Sequence, residues 1–124
     1  GFHLLKEKYT MKDLEELTKS ERKFYLSIPK GIENAIPAKK LAVITGMNTR
    51  TLTAHANHLR RKGFPIGASH DSVNGGYYII TNAEELNVTV RTLEAYGRKQ
   101  LQSAYALKKG WRNRHNRKEV KDNE

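Results

Sequence analysis

The junction Gly46-Met47-Asn48 constrains this chain more than any other feature. Before it, Pro37 suits the first position of a helix, where a missing N–H costs nothing. Leu41 and Ile44 are read as that helix's inward-facing positions. Gly46 breaks the helix, and Met47 can plug the turn. Asn48 stands where a second helix needs its N-cap. This second helix is expected to run from Asn48 to Lys62, with Gly63 as its stop. Its apolar positions Leu52, Ala56 and Leu59 are spaced four and three apart, which is one narrow buried stripe. Thr49, Arg50, Thr53, Ala54 and Asn57 are left on the outer face. Two helices joined this way read as a helix-turn-helix.

The flanking sequence extends the pattern. Residues 1–17 are charged with scattered apolar positions and form an N-terminal extension. Thr10 and Asp13 could cap a short helix there through Leu14 and Leu17. Thr18 and Glu21 have capping-box spacing, which predicts a helix over residues 19–28 with Phe24, Tyr25 and Ile28 on its buried side. Pro29 ends it. After Gly63 the period changes to two. Phe64 to Ser69 reads as extended, Asp71 to Gly76 is rich in turn formers, and Tyr77 to Ile80 is a strand, so a β-hairpin is expected. Asn82 and Glu85 repeat the capping-box spacing ahead of a long helix expected from about Ala83 to Lys109. Gly97 weakens that helix by about 1 kcal/mol relative to Ala. Residues 112–124 read as a basic tail, either a fraying helix end or disordered.

Charge narrows the partners. Of the 124 residues, 23 are Lys or Arg and 13 are Asp or Glu, a formal net charge of +10. A small protein this basic is drawn to polyanions, nucleic acid before an anionic membrane surface. The excess is uneven. Residues 1–36 hold seven cations against six acids, residues 37–81 six against one, and residues 82–124 ten against six. There is no cysteine, which excludes disulfides and thiolate metal sites and fits a reducing cytoplasm. The apolar runs are too short to span a bilayer, and nothing in the sequence indicates export.

Helix, helix, turn, second helix and hairpin, in that order over residues 18–81, resemble a winged helix-turn-helix. The residues carrying the likeness are Leu41-Ala42, Thr45-Gly46-Met47-Asn48, Leu52, Leu59-Arg60, Gly63-Phe64-Pro65-Ile66 and Gly75-Gly76-Tyr77-Tyr78-Ile79. Together they are similar to the DNA-binding domain of the biotin operon repressor family. Asn48 stands where that family often has Ser, and it caps equally well. The resemblance implies DNA binding alone, with no ligase activity and no biotin. The expected architecture is mainly α with a small β-hairpin, a winged helix-turn-helix followed by a long C-terminal helix (residues 82–111) and the basic tail.

In such a domain the second helix enters the major groove and its N-terminal residues approach base edges. Arg50 suits bidentate contact with guanine, Asn57 suits adenine, and Thr49 or Thr53 suits a thymine methyl or a phosphate. Lys39, Lys40, Arg60, Arg61 and Lys62 read as phosphate contacts, which fix register without reading sequence. The wing tip offers His70, Ser72 and Asn74 but no Lys or Arg, so a weak wing contribution is expected. Double-stranded DNA is thus the expected partner. The expected role is a small sequence-specific transcriptional regulator in the cytoplasm, at the nucleoid. The alternatives are a phage or plasmid accessory protein for replication or DNA architecture, or a protein-interaction module.

Other signals carry less. His55 and His58 have ligand spacing, but no Cys exists and no acid lies within a turn, so no metal or cofactor is expected. The adjacent pairs Glu15-Glu16 and Glu84-Glu85 do not face each other on a helix and read as helix-start or solvated charges. No nucleophile–base constellation is visible, and the chain reads as a non-enzyme. The stripe Leu86, Val90, Leu93, Gly97, Leu101, Ala104, Leu107 and Trp111 runs about 25 residues, roughly 37 Å at the helix rise. Its first half, Leu86, Val90 and Leu93, is expected to pack back on the winged domain. Leu101, Ala104, Leu107 and Trp111 are read as a homodimer surface or a docking face for another protein. The basic tail is either an added electrostatic arm on DNA or a solubilising end.

Overall fold

The computed structural model describes residues 11–69 and 75–123, with side chains over 13–69 and 75–116. It is mainly helical, with one small antiparallel hairpin and a long C-terminal helix. The elements are α1 (Met11–Glu15), α2 (Lys19–Leu26), a 3-10 turn (Ile32–Asn34), α3 (Ala38–Thr45), α4 (Thr49–Arg61), β1 (Ile66–Ser69), β2 (Gly76–Ile79) and α5 (Ala83–Asn123). The chain divides into two compact units, Gly1–Thr89 and Val90–Glu124, and α5 crosses that boundary.

The first unit is organised by caps. Thr10 and residues 1–9 lie outside the described residues. The short α1 follows, and Leu14 and Leu17 at its end are buried. Arg22 reaches back from α2, donating from Nε to the Leu14 carbonyl at 2.9 Å and from Nη2 to the Leu17 carbonyl at 3.3 Å. The Leu14 carbonyl also accepts from Leu17 N–H at 3.2 Å, so Arg22 ties α2 to an already closed turn. The capping box at α2 is complete. Glu21 N–H donates to Thr18 Oγ1 and Thr18 N–H donates to Glu21 Oε1, each at 3.1 Å. The helix stops at Leu26, two residues short of expectation, with Ser27 as its C-cap.

Gly46 adopts φ +73°, the left-handed region that closes α3, and its N–H donates to the Ala42 carbonyl. Asn48 caps α4 by accepting from Thr51 N–H at 2.8 Å. Leu52, Ala56 and Leu59 are buried as the spacing predicts, and Met47 packs against the core beside them. The inward face of α3 differs from expectation. Leu41 is buried, but Ile44 is 52 % exposed and Thr45 is buried in its place. Thr45 lies four residues after Leu41, directly above it on the helix face. Its hydroxyl donates to the Leu41 carbonyl at 2.8 Å and accepts from Met47 N–H at 3.3 Å. The hydroxyl is therefore satisfied inside the turn, which an aliphatic side chain could not do.

The hairpin pairs Ile66 with Ile79 and Ser69 with Gly76. The segment before α3 runs alongside β2. Ile36 and Tyr77 exchange two backbone hydrogen bonds at 2.9 Å, and Gly31 N–H donates to the Ile79 carbonyl. Gly76 is dictated by this approach, since a Cβ there would overlap the Ile36 carbonyl. The core gathers Leu14, Leu17, Phe24, Ile28, Leu41, Leu52, Ala56, Leu59, Phe64, Ile66 and Ile79.

The opening of α5 docks by its polar side. Glu85 and Thr89 are buried, whereas Leu86, Val90 and Leu93 are exposed, contrary to expectation. Asn82 caps the helix, accepting from Glu85 N–H at 2.8 Å. The Glu85 carboxylate does not return to the cap residue as a capping box would. It accepts from Thr81 N–H, the Thr81 hydroxyl and Ile32 N–H, all at 2.8 Å. Glu85 is thus a buried clasp and not a solvated charge, while Glu84 is exposed. The buried Tyr78 hydroxyl donates to the Glu85 carbonyl and pairs with Thr89 Oγ1 at 2.9 Å. Five such bonds outweigh apolar packing in choosing the face, because each buried polar group needs its partner.

The second unit is a single helix. It continues past Lys109 through residues 112–123, for which the sequence allowed either a fraying helix end or a disordered tail. Its Arg, Lys and Glu residues are good helix formers and no proline interrupts them. Among the described residues, no helix is long and apolar enough to cross a membrane.

Candidate nucleic-acid interface

With Leu52, Ala56 and Leu59 turned to the core, the 3.6-residue period fixes the rest of α4. Arg50, Ala54, Asn57 and Arg61, at spacings of four, three and four, form the file on the opposite side. All four are exposed. Thr49, at the first helical position, is exposed beside Arg50. Lys39 and Lys40 on α3, and Lys62 at the end of α4, are also exposed.

Thr53 and Arg60, seven residues apart, share a different side, toward the hairpin. The Thr53 hydroxyl donates to the Thr49 carbonyl at 3.1 Å and lies 3.5 Å from the Tyr77 hydroxyl. Arg60 does not stand free as a phosphate contact. Its Nε donates to the Ile66 carbonyl at 2.8 Å, and Nη1 donates to Asn57 Oδ1 at 3.4 Å. Its Nη2 is buried with no hydrogen-bond partner among the described residues. Burial lowers the pKa of this guanidinium, against the opposing influence of Tyr77 and Tyr78. Arg60 therefore ties α4 to β1 and steadies Asn57. A basic residue at a helix end is ambiguous in sequence. Only the β1 carbonyl in reach decides its role.

The inner edge of α4 is gripped by α2. Ser20 Oγ lies 2.7 Å from His55 Nε2, and the Phe24 ring stands between His55 and Tyr77 at centroid distances of 5.9 and 5.6 Å. His58 Nδ1 pairs with the buried Glu21 carboxylate. Sequence reading found no acid within a turn of His58, and Glu21 comes instead from another helix. Burial would push the Glu21 carboxyl up. The Thr18 N–H, the His58 ring and the Thr18 hydroxyl outweigh it, and its pKa is lowered. Glu85 behaves alike: burial raises it, the Ile32 and Thr81 donors outweigh that, and the net direction is down.

Three consequences follow for the site. Arg50, Asn57 and Arg61 are held on a helix whose other sides are fixed by packing and hydrogen bonds. Asn57 keeps both amide protons and one oxygen lone pair for an external partner. Arg61, read from sequence as a phosphate contact, stands in the same file as Arg50 and Asn57. His70, Ser72 and Asn74 at the hairpin tip lie outside the described residues. Among the described residues, no group of three or more His, Asp or Glu could hold a metal ion. Comparison of the chain with protein-family models, curated proteins and solved structures finds no match.

Proposed function

We propose that residues 18–81 are a winged helix-turn-helix, of the kind the biotin operon repressor family carries, that binds double-stranded DNA through α4. The observation carrying this reading is the file Arg50, Ala54, Asn57, Arg61. The fold leaves it uncovered on a helix otherwise locked in place, within a stretch of six cations and one acid. A helix of 13 residues is roughly 20 Å long and fits a major groove about 12 Å wide. Arg50, near the N-terminus of α4, presents a planar fork to guanine O6 and N7. Asn57, about two helical turns later, presents acceptor and donor to adenine. Thr49 and Thr53 meet a thymine methyl or a phosphate. Lys39, Lys40, Arg61 and Lys62 neutralise phosphates on either side. Ala54 leaves room between Arg50 and Asn57 for bases to approach.

This mechanism makes the protein a small sequence-specific transcriptional regulator acting at the nucleoid. Fluorescence anisotropy with a selected duplex and with random duplex tests it. Arg50→Ala weakens binding to the selected duplex more than to random DNA, and both affinities fall steeply with salt as counterions are released. An equal loss on both duplexes removes base reading by Arg50. A flat salt response removes the DNA reading altogether.

A further inference from the structure

In the second unit the apolar residues of α5 face solvent. Val90, Leu93, Gly97, Leu101, Ala104 and Trp111 share one side, and Leu107 borders it. Leu101 and Leu107 are each 73 % exposed. Helices in water take most of their stability from packing an amphipathic face, so a stripe of about 33 Å calls for a partner surface.

Two features of the stripe select that partner. The first is shape. Gly97 disfavours a helix, and a Cβ at Gly97 would meet nothing within 4 Å. Nothing in this unit explains the glycine. A second helix does, because Gly97 and Ala104 are the small positions in a stripe whose large ones are Leu93 and Leu101. Run antiparallel about a point near residues 98–99, two copies set Leu101 against the partner's Gly97. The same pairing sets Leu93 against the partner's Ala104. Each large side chain then fills the space left by a small one. A parallel pair sets Gly97 on Gly97 and Ala104 on Ala104, leaving voids. The second feature is charge. Lys108, Lys109, Arg112 and Arg114 crowd one end of the stripe, while toward the other Arg91 is exposed and Glu94 pairs with Arg98 at 3.9 Å. Parallel pairing opposes four cations to four, whereas antiparallel pairing separates them.

We propose that residues 90–107 pair with a second copy of this chain as an antiparallel two-helix seam, centred near residues 98–99. The pairing stands independently of DNA binding, and its test contains no DNA. The chain has no cysteine, so introduced thiols report alone. Leu93→Cys and Ala104→Cys proteins are oxidised separately and as a mixture. The antiparallel seam gives a disulfide only in the mixture. Within each single variant the two thiols stand 11 residues from their copies, roughly 16 Å along the helix, too far for a disulfide. Crosslinking of each variant with itself, in yield equal to the mixture, establishes parallel pairing and overturns the proposal. No crosslink in any arm, with wild type sedimenting as a monomer at high concentration, also overturns it. As a control, Leu101→Asp weakens self-association about tenfold or more, because it buries an unpaired charge, while leaving the first unit folded.

Discussion

Residues 18–89 and residues 90–116 carry the same kind of apolar periodicity and meet opposite fates. In α4 the stripe Leu52, Ala56, Leu59 is buried against elements of the same chain. In α5 the stripe through Leu93, Leu101 and Leu107 faces solvent. A 3.6-residue period fixes where a helix is apolar. Whether that side is covered depends on what else the chain supplies. For α4 the covering surface is α2, α3 and β1. For the second unit the proposed antiparallel seam supplies it.

The sharpest way to break this contrast is to cut one leucine from each stripe. Leu52→Ala costs about 3 kcal/mol in urea unfolding, as for a fully buried leucine. Leu101→Ala, measured at concentrations too low for association, leaves the unfolding of the first unit unchanged. Equal losses would place both stripes in one core and end the distinction.

Cations sharpen it next. Arg50→Ala lowers affinity for the selected duplex by about 1–3 kcal/mol, roughly ten- to a hundredfold, and relaxes preference at one base pair. Arg112→Ala, on α5, changes selected and random duplex by the same factor. Competition titrations with both duplexes read the difference. A sequence-dependent effect at Arg112 would move base reading out of α4.

Hydroxyls give a smaller effect. Tyr78→Phe removes the buried pair with Thr89 and the bond to the Glu85 carbonyl, costing about 1–2 kcal/mol in thermal unfolding. Tyr105→Phe, on an exposed ring, changes nothing measurable. Acid separates the regions as well. The folded pKa values of Glu21 and Glu85 are lowered. Their stabilisation is complete above the unfolded glutamate value of about 4.3 and is lost as pH falls through the lower folded values. Glu21→Gln with Glu85→Gln flattens the acid limb of stability against pH, and Glu94→Gln leaves it unchanged. The smallest effect is on salt: Lys39→Ala lowers the slope of log affinity against log salt by about one.

Much of the first unit was legible in the sequence because caps and stripes are local. Thr18 with Glu21, Asn48 before Leu52, and Gly46 at the turn each act within four residues. What was not legible depends on partners distant in sequence. Ile44 is the better hydrophobe, yet Thr45 is buried because its hydroxyl bridges the turn. Leu86 is apolar, yet Glu85 is buried because Ile32 N–H, 53 residues away, needs an acceptor. Arg60 belongs to the fold because the Ile66 carbonyl meets it. Arg50, Asn57 and Arg61 were legible as outward-facing from the stripe alone, since among the described residues no side chain distant in sequence pairs with them.

Selection from a random pool of duplex DNA at low salt, followed by sequencing, tests the DNA reading most directly. The account predicts an enriched motif containing a guanine whose preference disappears with Arg50→Ala. Failure of the wild-type protein to retain duplex DNA at low salt would contradict it.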